Sequence, residues 1–95
     1  MKPPPRFDMT ITRADFRRLL PAAVDHVPFI ERDGAFVHRN GARGWRIALA
    51  SLPQLEIGLI RLERYRVDFE FTGYSAGEIA DFMARFELYF RRGGG

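Results

Sequence analysis

Tyr65-Arg66-Val67-Asp68-Phe69-Glu70-Phe71-Thr72-Gly73-Tyr74-Ser75-Ala76-Gly77-Glu78-Ile79 decides the fold. Its first half alternates aromatic or branched residues with charged ones, the period of a half-buried strand. Gly73 ends that period. Ser75 and Glu78 then form a capping box, in which a hydroxyl accepts an opening N–H and a carboxylate three residues on reaches back. Tyr74 and Ile79 are spaced to staple the entry. One strand therefore hands the chain directly to a helix, whose apolar face is Ile79, Phe82, Met83, Phe86 and Phe90 with Tyr89 on its border.

The same grammar occurs upstream, in Ile11-Thr12-Arg13-Ala14-Asp15-Phe16, with Asp15 a shorter substitute for the box carboxylate. Phe16, Leu19, Leu20, Ala23 and Val24 follow at helical spacing. Pro21 interrupts them with a kink or an early stop, and Pro28 closes the element.

Strand patterns fill the space between the two helix starts. Asp33-Gly34, between Ile30-Glu31-Arg32 and Ala35-Phe36-Val37, is a favoured two-residue hairpin turn. Asn40-Gly41 starts a second turn, lengthened by Ala42-Arg43-Gly44. Trp45, Ile47 and Leu49 alternate with Arg46, Ala48 and Ala50, and Leu52-Pro53-Gln54 breaks that strand. Residues 55–62 read as a further strand, apolar on both faces, with Glu63-Arg64 turning into the next. The expected fold is α+β: an antiparallel meander of about five strands with N- and C-terminal helices packed on one face, α-β-β-β-β-β-α. Residues 1–9, with Pro3-Pro4-Pro5, read as a disordered tail, residues 10–92 as one domain and residues 93–95 as a flexible glycine tail.

Ninety-five residues, 46% hydrophobic with nine Phe, suffice for one modest core. Cysteine is absent, which removes disulfides, thiolate metal sites and thiol redox chemistry. No apolar run approaches the ~20 residues that span a bilayer, and no signal-peptide pattern follows Met1, so a cytoplasmic protein without membrane contact is expected. The net charge of +3 comes from fourteen Arg and one Lys scattered among twelve acids. A GC-rich, bacterial-like genome explains that Arg bias as readily as a ligand does, and no segment is a basic tract.

No constellation carries catalysis. His26 and His38 lack a carboxylate or second His at a ligating interval, and both read as surface or loop residues. Ser75 is a cap, and no nucleophile elbow, phosphate loop or dinucleotide fingerprint is present. Neither a metal, a cofactor nor an enzyme activity is expected. The feature that remains is the outer sheet face. With the aromatic face inward, Ala48, Ala50, Gly58, Ile60 and Leu62 face outward, flanked by Arg46, Arg61, Arg64 and Arg66. That strip suits self-association or a protein partner. An RNA-binding module on the same Arg-rich face is the second reading, weakened because Tyr65 shares the inward face with Val67 and Phe69.

The terminus Arg91-Arg92-Gly93-Gly94-Gly95 resembles the Gly-Gly ends of ubiquitin-like proteins and of sulfur carriers for thiamin and molybdopterin synthesis. That resemblance implies a carrier using Gly94 and Gly95, and it spans five residues. Those families place a strand before the tail, whereas here an amphipathic helix leads into it, so Gly93 reads as a helix cap.

Overall fold

The structure, a computed structural model, describes residues 5–93. The elements run β1 (Arg6–Thr10), α1 (Arg13–Ala23), β2 (Ile30–Arg32), β3 (Ala35–Asn40), β4 (Arg43–Ile57), β5 (Ile60–Thr72) and α2 (Ala76–Gly93). Five antiparallel strands form one open sheet in the order β1-β5-β4-β3-β2, an α+β fold with its helices near the two ends of the chain.

Both helix starts form as their cap residues require. Glu78 N–H donates to Ser75 Oγ at 3.1 Å and Ser75 N–H donates to Glu78 Oε1 at 2.9 Å, a complete box. Asp15 N–H donates to Thr12 Oγ1 at 3.0 Å, but Asp15 is too short to reach back and faces Arg18. Pro21 stays inside α1, which runs on to Ala23, because only the last turn follows it and little backbone bonding is lost.

One helix-facing core holds the layers together. Trp45, Ile47, Leu49, Val67 and Phe69 from the sheet meet Phe16, Leu20, Phe86 and Phe90 from the helices. The rings interlock: Phe69 lies edge-on to Phe86 at 4.8 Å, Phe16 sits 4.8 Å from Phe90, and Phe71 is edge-on to Phe82 at 5.0 Å. Arg43, at the start of β4, bonds Glu78 at 2.6 Å and lies 4.4 Å from the Tyr74 ring, tying α2's entry to the sheet.

Three expectations about the strands need correction. Residues 6–10 are not a tail: Phe7 and Met9 alternate with Arg6, Asp8 and Thr10, and this short period-two run joins the sheet as edge strand β1 beside β5. Residues 55–62 are not one strand. Leu55 to Ile57 complete β4, Gly58 and Leu59 turn, and Ile60 begins β5, so Glu63-Arg64 lies within a strand. The strand count survives only because β1 replaces the strand lost there. Finally, Asn40 pairs with Arg43 across Gly41-Ala42, a two-residue turn rather than the longer loop through Gly44.

His38 is also misplaced by the sequence pattern. It follows Phe36 on the inward face of β3 and is buried beside Trp45, with rings 5.6 Å apart. Its Nδ1 lies 2.6 Å from the Pro28 carbonyl, which can only accept, so Nδ1 carries the proton. His26 lies exposed in the left-handed turn after α1.

Candidate interaction face

The outer sheet face, away from the helices, has two regions of different chemistry. Over the body it is mainly charged, with Ile30 and Val37 an apolar pair at the β2 end. Arg6 bonds Asp68 at 2.6 Å, Arg46 lies 3.9 Å from Glu70, and Ala50 sits across from Arg66. Ala48 is half-buried there and Ala50 exposed. These alanines are gaps among charges and not a continuous apolar strip.

Beyond the Leu52–Arg64 pair, β4 and β5 lose their other neighbours. β1 reaches along β5 only to Arg64, and β3 reaches along β4 only to Ala48. What continues is a two-stranded arm, residues 53–63. Two local devices decide which way its side chains point. Pro53, which lacks an N–H, falls in a β-bulge between Leu52 and Leu55 that adds one residue to β4 and reverses its alternation. Gly58, at φ +59°, supplies the positive φ that a two-residue hairpin turn requires at its first position.

The bulge and the turn together put Leu55, Ile57, Ile60 and Leu62 on one face, paired Leu55 with Leu62 and Ile57 with Ile60. A straight strand would divide the same four residues between two faces. Ile57 and Ile60 are 58% and 59% exposed, Leu55 and Leu62 40% and 36%, and Leu59 at the turn is fully exposed. Of the residues predicted for this face, Ile60 and Leu62 belong to it. Gly58 forms the turn instead. Arg61 lies on the opposite side of the arm, 3.6 Å from Glu56. Arg64 and Arg66 flank the arm's base on the outer face. Leu55 and Ile57 were missed because reading residues 55–62 as one strand assigns them to the wrong side. The Gly58 turn was the available signal.

The root of the arm is anchored on its helix side. Glu63 Oε1 accepts from Tyr65 Oη at 2.6 Å and from Arg13 N–H at 3.3 Å, and the Glu63 carbonyl accepts from Ile11 N–H at 3.1 Å. The hydrogen bond that its hydroxyl donates to Glu63, then burial, then the negative charge of Glu63 hold the Tyr65 phenol above its ordinary pKa. Tyr65 is buried on the same face as Val67 and Phe69, and no aromatic ring occupies the outer face among the described residues.

Among the described residues, no group of three or more His, Asp or Glu is placed to hold a metal ion, and no helix is long and apolar enough to cross a membrane. Gly94 and Gly95, the carrier-tail residues, lie outside the described residues, and α2 runs to Gly93. Comparison with known proteins finds no family model, curated protein or solved structure that matches the chain.

Proposed function

We propose that this chain is a small non-enzymatic interaction domain or accessory subunit that docks through the outer face of its arm and self-associates there. The observation that carries the reading is the row Leu55, Ile57, Ile60 and Leu62, apolar and solvent-exposed on a ribbon that nothing else among the described residues covers. With Leu59, the row exposes as much surface as about three whole aliphatic residues. Burial is worth roughly 1.5–3 kcal/mol for each such side chain, so packing two arms together returns several kcal/mol per copy. A two-stranded ribbon is marginal alone, and a partner packed on its face would also hold it in register.

The RNA reading has less support. Its outer-face arginines are partly engaged, Arg46 by Glu70 and Arg6 by Asp68, and single-strand binding draws on stacking platforms that this face lacks. Hydrogen exchange measured against concentration tests the arm reading. Amides of residues 55–62 should exchange more slowly as the protein is concentrated, with the body unchanged. Concentration-independent exchange along the arm would overturn it.

A further inference from the structure

The two edges of the sheet are not equally guarded. The β2 edge is three residues long. Ile30 and Arg32 pair with β3 across the two-residue turn, which leaves only Glu31's backbone groups facing out. The Glu31 carboxylate is held by Arg17 in a two-point contact at 2.8 and 2.7 Å. The β1 edge is different. Phe69 N–H donates to the Pro5 carbonyl and Ile11 N–H to the Glu63 carbonyl, both at 3.1 Å, which sets the phase of the ladder. Odd-numbered residues of β1 bond to β5. The N–H and C=O groups of Arg6, Asp8 and Thr10 therefore point away from the sheet, and no strand covers them among the described residues.

Side chains on this edge specify what would fit it. Phe7 and Met9 lie on the helix side, along a groove of about 520 Å³ walled by Phe86 and Phe90 of α2. Arg6 and Asp8 lie on the outer face. An antiparallel strand added here needs a basic residue across from Asp8, an apolar one across from Phe7 at the groove, and an acidic one across from Arg6. In that strand's own direction, the order is basic, apolar, acidic. Arg6-Phe7-Asp8 is that order, so the edge is complementary to itself.

We infer that a second copy of this chain pairs along β1, antiparallel about a two-fold axis at Phe7, joining two sheets into one. Arg6 then faces the partner's Asp8, and Asp8 faces the partner's Arg6. The charged row on the outer face continues unbroken from Asp68 through Arg6 into the second copy. Phe7 meets the partner's Phe7 at a pair without mutual hydrogen bonds, where Cα atoms approach to about 4.5 Å, over the mouths of both grooves. This contact uses a different surface from the arm and goes beyond the arm reading.

Cross-linking tests the register, because the chain has no cysteine of its own. Phe7→Cys sets two thiols within disulfide reach, about 4.4–6.8 Å between Cα atoms, whereas Thr10→Cys places them several residues apart. On oxidation the first variant should run at doubled mass and the second should not. Phe7 also packs against Phe69 and Phe86, so a second pair of variants spares the core. Arg6→Glu and Asp8→Arg each set like charges against one another and should lose the edge dimer. Mixed in equal amounts, they face opposite charges again and should recover it. Absence of the disulfide at position 7, or a mixture that behaves as its two components do, would overturn the edge pairing. An arm contact acting alone gives both of those results, so the edge can fail while the arm reading stands.

Discussion

Ile57 and Ile60 face each other across a two-residue turn, and each leaves more than half its surface in solvent. They stand on the face that the helices leave bare. The fold spends its aromatic residues on the other side, where Ile47 is fully buried among Trp45, Phe69 and the two helices. Exposure at the arm and closure at the core give opposite expectations for the same kind of substitution.

Ile47→Ala should destabilise the protein by about 2–5 kcal/mol, because it opens a cavity in a closed core. At a dilution that keeps the protein monomeric, Ile57→Ala should stay within roughly 0.5 kcal/mol, as an exposed position does. Denaturant midpoints for the two variants check this contrast. Equal losses would mean that the arm is packed within the monomer.

Two glycines should respond unequally to alanine. Gly58, at φ +59°, has open space around the position of an added Cβ, so Gly58→Ala carries only the left-handed backbone penalty of about 1–2 kcal/mol. At Gly73 the added Cβ would also meet the Ala42 carbonyl oxygen at 2.7 Å, and the loss should be larger. Thermal unfolding of the pair gives the order.

The helix cap should depend on acid. Glu78 is held below the ordinary carboxylate range chiefly by the Ser75 backbone N–H, and then by Arg43. A depressed carboxylate adds stability above its unfolded value and loses it as pH falls through the folded one. Ser75→Ala should cost about 1 kcal/mol near neutrality. Glu78→Gln should flatten the acid limb of a stability–pH curve.

At alkaline pH the opposite sign applies to Tyr65. Its raised phenol contributes stability below the ordinary tyrosine pKa, and that contribution is lost as pH rises through the folded value. The phenolate transition displaced to higher pH in an ultraviolet titration should disappear in Tyr65→Phe. Removing a hydrogen bond to the Glu63 carboxylate should also cost roughly 1.5–3 kcal/mol at neutrality.

What was legible in the sequence was local. Thr12 and Ser75 announce the helices because a cap bonds within three residues of itself, and Tyr65 to Phe71 shows its period without help from neighbours. Asp33-Gly34 is legible for the same reason. The arm was not, because alternation assumes an unbroken strand and neither the Pro53 bulge nor the Gly58 turn enters a count of alternate residues. β1 escaped because five residues beside a proline run carry little pattern, and its partner β5 lies more than fifty residues away. Alternation alone puts Ile60 and Leu62 on the outer face, while Leu55 and Ile57 needed the turn to join them.

The mass of the protein in solution tests the arm most directly. Ile57→Lys combined with Ile60→Glu keeps a cross-strand pair of opposite charges at the turn while removing the apolar apex. At high micromolar concentration, light scattering should give the wild-type chain a multiple of its 11.0 kDa protomer mass, and the double variant half that mass or less with an unchanged circular dichroism spectrum. A wild-type monomer, or the same mass in both proteins, would contradict docking through the arm.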